Sequence, residues 1–186
     1  MNYAQIRSMD ISNGEGIGVS LFVQGCDFHC KNCFNSETWE FSKGQEWNDK
    51  TKNQFLKLIE KPFIQRVSIL GGEPLHPKNV QNVLKIVDEI RVSYPTKNIW
   101  LYTGYTWEEI WNRAKIKPED AFKDIQRKVE EQIIRRELVS MCDVLIDGRY
   151  VDELRDVSLH WRGSSNQRVI NVQETLKQKQ IVLWES

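Results

Sequence analysis

Three of the four cysteines in this chain lie within eight residues, at Cys26, Cys30 and Cys33. Their C-x3-C-x2-C spacing directly follows residues 19–23, an apolar run rich in β-branched and aromatic side chains that predicts a strand. We therefore expect the three thiols on the loop that leaves this strand. In a reducing compartment, such clustered thiols indicate metal binding or catalysis rather than disulfides.

Three kinds of site are compatible with this cluster. A structural zinc site needs four ligands, and His29 or Cys142 could supply the fourth, but no second C-x2-C or H-x3-H pair follows. Unrelated core or redox thiols are a second alternative. The third, which we favour, is a [4Fe–4S] cluster held by three thiolates. Because such clusters are normally held by four cysteines, this one would have an iron open to a small molecule.

A second motif, Gly71-Gly72-Glu73-Pro74, follows another short apolar run at residues 66–70. Two glycines after a strand allow the backbone to approach a ligand without Cβ clashes. Glu73 adds an acceptor for a cationic group. Alone, such a tetrapeptide is usually a simple strand-to-helix turn. It indicates a binding site only in combination with the cysteine loop about 40 residues before it.

The elements around these motifs alternate between strand and helix. This order is typical of βαβ units, and about 31 residues per unit leave too few units here to close a full barrel. We expect an α/β fold, an incomplete TIM-type βα barrel with a parallel sheet, in a single domain of residues 1–186. The pattern predicts strands at 19–23, 66–70, 98–102, 143–147 and 180–184, and helices that begin near Asn48, Pro77, Trp107 and Pro118.

Two segments lie outside this core pattern. Residues 115–137 predict a charged helical insertion, whose Phe122, Ile125, Val129 and Ile133 recur at helical spacing and are expected to face the core. Its other side carries i,i+4 ion pairs typical of a solvated face. Residues 173–186 are interpreted as a C-terminal extension. We assign no chemistry to either segment.

The composition excludes several classes of protein. The chain has 186 residues, and 26 Lys and Arg residues balance 26 Asp and Glu residues. Zero net charge argues against a general nucleic-acid binder, which usually carries a basic excess. No run approaches the ~18 apolar residues that a membrane span needs, and the N-terminus does not resemble a signal peptide. We therefore expect a cytoplasmic protein.

The cysteine spacing and the Gly-Gly-Glu-Pro motif together resemble the radical S-adenosylmethionine (SAM) superfamily. Within it, the chain looks like the activating proteins of anaerobic (class III) ribonucleotide reductases over about residues 2–170. The blocks that carry this resemblance are NGEG at 13–16, LFVQGC at 21–26, CFN at 33–35, GEPLHP at 72–77, WLYTGY at 100–105, DGRY at 147–150 and WRGSSNQ at 161–167.

The resemblance implies one [4Fe–4S] cluster on Cys26, Cys30 and Cys33, with SAM bound at its open iron. By position, Gly71, Gly72 and Glu73 would bind the methionine end, and the backbone around Asn32, Cys33 and Phe34 would line the adenine. Thr103 and Asp147, which end two strands, are candidates for the ribose or carboxylate. Superfamily members commonly carry an aromatic residue where Asn32 stands, and here Phe34 follows the cysteine instead.

The resemblance also implies partners. The protein substrate would be the large subunit of the reductase, on which a 5′-deoxyadenosyl radical abstracts hydrogen from a glycine, and the electron donor would be a flavodoxin or ferredoxin. An activase of another glycyl-radical enzyme, of the formate-lyase type, is an alternative that the Arg162-to-Gln167 block disfavours. A small zinc-binding interaction module is a second alternative.

Metal analysis separates the iron and zinc hypotheses. We expect protein reconstituted anaerobically with iron and sulfide to carry about four iron atoms per chain, because a cubane contains four. Iron and zinc are measured together by plasma emission spectroscopy. Zinc without iron would contradict the cluster assignment.

Overall fold

The computed structural model describes residues 1–184. Its strands are β1 (Asn2–Asp10), β2 (Gly18–Val23), β3 (Gln45–Glu46), β4 (Arg66–Gly71), β5 (Asn98–Tyr102), β6 (Val144–Asp147) and β7 (Arg168–Asn171). Its α-helices are α1 (Asp49–Ile59), α2 (Val80–Ser93), α3 (Trp107–Trp111), α4 (Phe122–Ser140) and α5 (Val172–Gln178). Within these residues, no helix is both long and apolar enough to cross a membrane.

The seven strands form one sheet in the order β3-β1-β2-β4-β5-β6-β7. The central strands β2, β4, β5 and β6 are parallel, as the alternating pattern predicts. Strands β1, β3 and β7 are antiparallel to their neighbours, and the sequence did not reveal them. The fold is therefore mixed α/β with a mostly parallel sheet, and the incomplete barrel stays a prediction.

The two faces of the sheet are covered differently. Alternate residues such as Leu21 and Ile69 point to the helices and join the main core. The opposite face carries Trp100, which packs edge-on against Trp161 at 4.9 Å and Trp184 at 5.7 Å between ring centroids. Parallel sheets are normally covered by helices on both sides. Here a loop and the C-terminal segment cover part of the second face, and the remainder borders a cavity.

Most predicted helices form, with shifted boundaries. Asn48 caps α1 through its Oδ1 atom, which accepts a hydrogen bond from the Thr51 amide at 3.1 Å. Helix α3 begins at Trp107 behind a capping box made by Thr106 and Glu109. Helix α2 begins at Val80 rather than directly at Pro77, because residues 77–79 form a turn.

The expectation of a core-facing stripe on α4 is wrong. Phe122, Val129 and Ile133 are 74%, 39% and 55% exposed. The helix is instead held by its C-terminal half, where Leu138 and Val139 are buried. There the Gln132 amide also donates to carbonyls at the end of α3. Helical periodicity shows that residues share a face, but the contacts with α2 and α3 decide which face is buried.

The expected strand at 180–184 is also wrong. Leu183 makes only an isolated bridge with Ile170 of β7, although the Trp184 amide donates to the Val169 carbonyl at 2.8 Å. The segment before it forms α5, which the sequence interpretation did not predict. Residues 185–186 of the proposed extension lie outside the described residues.

A fully buried guanidinium ties the β1–β2 connection to the sheet. Arg66, at the start of β4, donates to the Asp10 carbonyl at 2.7 Å and the Ser68 hydroxyl at 2.6 Å, and lies 3.3 Å from the Asp10 carboxylate. That carboxylate also accepts from the Ser12 and Asn13 amides. Burial raises the pKa of Asp10, but hydrogen bonds from Asn13 and Ser12 outweigh it and lower the pKa to about 2.

We expect Asp10→Ala to lower the free energy of unfolding by ~3–5 kcal/mol at pH 7, because it leaves a buried charge without its partner. The folded-state pKa of Asp10 lies below its ordinary value of 3.8, so its contribution is complete above pH ~4 and is lost as pH falls towards 2. The difference between wild type and variant in urea unfolding should therefore shrink over that range.

Lys43→Ala is the matched control, since its ion pair with Glu40 spans 3.9 Å at the surface. We expect that change to cost less than ~1 kcal/mol. Equal effects of the two substitutions, or an Asp10→Ala effect independent of pH, would contradict the buried-pair interpretation.

Candidate functional site

The three clustered cysteines face one cavity. They lie on the loop after β2, with Cys26 buried and Cys30 and Cys33 partly buried, and all three thiols are free. The cavity, of about 580 Å³, is also lined by Gly71, Gly72 and Glu73 of the second motif. The fold therefore brings together two segments that are about 40 residues apart in the sequence.

The cysteine loop is held by main-chain hydrogen bonds to the segment that follows it. The Gly25 amide donates to the Thr38 carbonyl at 2.7 Å, and the Cys26 amide to the Trp39 carbonyl at 2.9 Å. The backbone then turns through left-handed conformations at His29 (φ 47°) and Asn32 (φ 55°). These turns coil the loop so that Cys30 and Cys33 follow Cys26 around one wall of the cavity.

Gly72 packs directly against the cysteine loop. A Cβ on Gly72 would lie 2.5 Å from the Gly25 carbonyl oxygen, so only glycine fits there. The Gly72 and Glu73 amides donate to the Val23 and Gly25 carbonyls at 2.9 Å and 2.8 Å. From the sequence, we expected the two glycines to let the backbone approach a ligand. In the structure, the backbone at Gly72 approaches the cysteine loop instead.

Glu73 is buried in the cavity wall with both carboxylate oxygens engaged. Oε1 accepts from the Thr103 hydroxyl at 2.7 Å and the Leu75 amide at 2.8 Å, and Oε2 accepts from the Gly104 amide at 2.8 Å. Burial raises the pKa of Glu73 to about 7, although these hydrogen bonds act in the opposite direction. The carboxylate is thus held in one orientation beside the cysteine loop.

Asn79 joins the two loops through hydrogen bonds, and the sequence analysis did not identify it. This buried amide donates to the Gln24 carbonyl at 3.0 Å and the Glu73 carbonyl at 3.1 Å. One side chain therefore fixes the residue that begins the cysteine loop and the acid of the second motif. The only sequence signal was a polar residue at the expected start of α2.

Of the residues proposed for SAM, most line the cavity but two do not. Cys33, Phe34, Gly71, Gly72, Glu73 and Thr103 contribute to its wall. The exposed Asn32 side chain instead donates to Asp152 at 2.7 Å. The Asp147 carboxylate is buried outside this cavity, where it accepts from the Trp107 amide at 2.7 Å and from the Arg168 guanidinium.

Other parts of the cavity wall come from the WLYTGY, DGRY and WRGSSNQ segments, most of whose residues had no assigned role in the sequence analysis. The Arg149 guanidinium lies 4.3 Å from the centre of the Phe28 ring, and the Gln167 side chain accepts from the Gly163 amide and donates to the Gly148 carbonyl. The wall also contains Tyr102, Tyr150, Trp161 and Arg162.

The donor set fits an iron–sulfur cluster. Thiolates are soft ligands that favour iron–sulfur clusters and zinc. Among residues 1–184, no three His, Cys, Asp or Glu side chains converge closely enough to hold a single metal ion. Three free thiols on one cavity are the type of donor that an iron–sulfur cluster takes. Cys142 is fully buried elsewhere, with its thiol 3.3 Å from the Leu138 carbonyl.

Comparison with known families agrees with this donor set. The family model described as a 4Fe-4S single cluster domain matches residues 12–170, which include both motifs and most of the cavity wall. The chain belongs to this family, and the match supports an iron–sulfur cofactor.

Similar proteins define the group more narrowly. The chain is 39% identical over 171 residues to the anaerobic ribonucleoside-triphosphate reductase-activating protein of Escherichia coli K12, covering 91% of this chain and 97% of that protein. The proteins of the same name from Haemophilus influenzae and Enterobacteria phage T4 are 37% and 35% identical, covering 90% and 91% of this chain and 96% and 93% of their own lengths. The chain therefore belongs to the family of anaerobic ribonucleoside-triphosphate reductase-activating proteins.

We expect Asn79→Leu to lower the free energy of unfolding by ~1–3 kcal/mol, because it leaves buried carbonyls on both loops without their donor. Urea unfolding followed by tryptophan fluorescence measures this change. Asn53→Leu, on the exposed side of α1, is the control and should stay within ~0.5 kcal/mol of wild type. A similar effect of both substitutions would show that Asn79 does not tie the loops together.

Proposed function

We propose that this protein activates an anaerobic ribonucleotide reductase by generating a glycyl radical on it, using SAM and a [4Fe–4S] cluster. The observation that carries the proposal is the convergence of three free cysteines and the buried Glu73 on one cavity. Its support from relatives is the 35–39% identity with proteins named as activators of this reductase.

Cys26, Cys30 and Cys33 would hold the cluster, each through its thiolate. With three protein ligands, one iron would lack a protein ligand and would be open to the amino and carboxylate groups of SAM. When bound and reduced, the cluster supplies the single electron that breaks a sulfonium C–S bond. The Asn35 amide, 3.4 Å from the Cys33 sulfur, would stabilise negative charge on that thiolate.

The second motif would hold the methionine end of SAM. Glu73 presents its carboxylate at the wall shared with the cysteines, where it can accept from an ammonium group. Gly71 and Gly72 keep this wall close to the cysteine loop, as the contact between Gly72 and Gly25 indicates. Thr103 would act through its hydrogen bond to Glu73 rather than by reaching the ribose.

The part of the cavity wall around Cys33 and Phe34 would take the adenine. Cys33 and Phe34 line this region, and the Phe34 ring packs edge-on against Tyr150 at 5.2 Å. Asn32 would contribute only its backbone, since its side chain is directed to Asp152. A ribose or carboxylate contact by Asp147 stays a prediction from the resemblance.

The reaction balances with a one-electron donor. One electron from a flavodoxin or ferredoxin-type protein and one SAM would give methionine and a 5′-deoxyadenosyl radical. Transfer of a hydrogen atom to it from the Cα of a glycine in the reductase large subunit would give 5′-deoxyadenosine and a glycyl radical. The sheet face opposite the main core is only partly covered, which supports the entry of a protein segment. This uncovered face is also consistent with an incomplete barrel in a single domain.

Electron paramagnetic resonance tests this function. We expect reconstituted protein, SAM, reduced flavodoxin and the reductase, mixed anaerobically, to produce a glycyl-radical signal and 5′-deoxyadenosine. Cys30→Ser should reduce both to background, because it removes one of three cluster ligands. Cys142→Ser is the matched control and should retain both, since its thiol lies outside the cavity.

Two outcomes would contradict the proposal. A radical signal with a different glycyl-radical enzyme, but none with the reductase, would reassign the protein substrate. Formation of 5′-deoxyadenosine by Cys30→Ser at the wild-type rate would disprove the ligand assignment.

A further inference from the structure

One edge of the sheet, formed by β1, is only partly covered by the described residues. Strand β3 pairs with Asn2 and Tyr3 alone. Residues 5–9 make no main-chain hydrogen bonds within residues 1–184 other than those with β2. Every second residue of such an edge turns its N–H and C=O groups away from the neighbouring strand. The edge at β7 differs, because residues 182–184 hydrogen-bond along it. We call residues 5–9 the open edge.

The open edge borders the cavity. Its middle residue, Arg7, lies opposite Ser20 of β2 and lines the cavity together with Phe22. The exposed Arg7 guanidinium lies 4.4 Å from the centre of the Phe22 ring, and no carboxylate within residues 1–184 forms an ion pair with it. Ser12 and Asn13, which follow the strand, also line the cavity. A chain that paired with the open edge would therefore run along the mouth of the cavity.

The chemistry of the open edge defines what it accepts. An extended segment of another chain can continue the main-chain pairing of the sheet. The unpaired Arg7 guanidinium favours a segment that places a carboxylate beside it. Met9, which is 66% exposed, offers apolar contact on the same strand. A second copy of this chain fits less well, because antiparallel pairing of two open edges about their middle residue would place two Arg7 side chains opposite each other.

We propose that the open edge is a docking site, to which an extended acidic segment of the protein substrate adds as a further strand. This inference rests on the proposed function, in which a glycine of that substrate has to reach the cavity. Main-chain pairing holds the segment at the mouth of the cavity, and an ion pair with Arg7 fixes its register. Arg7 is then a specificity-determining residue for the protein substrate rather than for SAM.

Hydrogen–deuterium exchange tests the docking site directly. With reconstituted protein and SAM, we expect full-length reductase to slow the exchange of outward-facing amides in residues 5–9 by about tenfold or more, because these amides become hydrogen-bonded. Amides of residues 2–3, which already pair with β3, should change much less. No slowing by the reductase would overturn the inference. Equal slowing by SAM alone, or by a higher concentration of this protein alone, would assign the edge to SAM or to a second copy and overturn it as well.

Substitutions of Arg7 test the acidic character of the segment. We expect Arg7→Gln to raise the KM for the reductase by about fivefold, the upper range for one exposed ion pair. Arg7→Glu should raise it further, since it adds repulsion, whereas Arg7→Lys should stay within about twofold of wild type. The Kd for SAM and the rate of 5′-deoxyadenosine formation without the reductase should not change by more than about twofold in any variant.

Arg127→Gln is the matched control, because Arg127 is an exposed arginine on α4 outside the cavity. Urea unfolding of each variant verifies that it is folded. An unchanged KM in both Arg7→Gln and Arg7→Glu would overturn the inference, as would an equal loss of SAM affinity. A glycyl radical on the reductase without slowed exchange at residues 5–9 would overturn the docking site and support the proposed function. Slowed exchange without any radical would support the docking site and contradict the proposed function.

Discussion

The contact between two loop backbones, one leaving β2 and the other leaving β4, is the constraint on which the site depends. Parallel pairing brings the ends of these strands side by side, and the hydrogen bonds of Gly72 and Glu73 to Val23 and Gly25 continue that pairing past the last strand residues. The contact places Glu73 at the wall that the cysteines share. A side chain at Gly72 would push the two loops apart and so move Glu73 away from the cysteines.

The cavity itself follows from the unequal covering of the sheet. Helices bury one face in a continuous apolar core, which supplies the rigidity that positions the strand ends. The other face keeps polar and aromatic side chains, including Tyr102, and is closed only in part by the loop that carries Trp161 and Arg162. The same arrangement that leaves the sheet without a second helical layer leaves room for the cavity.

Local sequence patterns predicted an element well where the residues of that element are themselves apolar and buried. The four parallel strands are short, mostly apolar runs whose residues are nearly all buried, and they were found almost to the residue. Strand β1 has mixed polarity and forms because β2 offers it an edge, so its own residues did not reveal it. The apolar positions of α4 were recognised, but their exposure depends on neighbours that are distant in sequence.

The sequence by itself determined the kind of donors and the family, since cysteine spacing and the Gly-Gly-Glu-Pro motif are local and chemically specific. Only the tertiary structure decided which residues share the cavity. It brought Tyr102 and Arg162 to the cavity wall, joined both loops through Asn79, and directed Asn32 and Asp147 to other partners. The physical reason is that a thiol or carboxylate carries its chemistry wherever it lies, whereas burial and hydrogen-bond pairing arise only when strands and loops from separate parts of the chain meet.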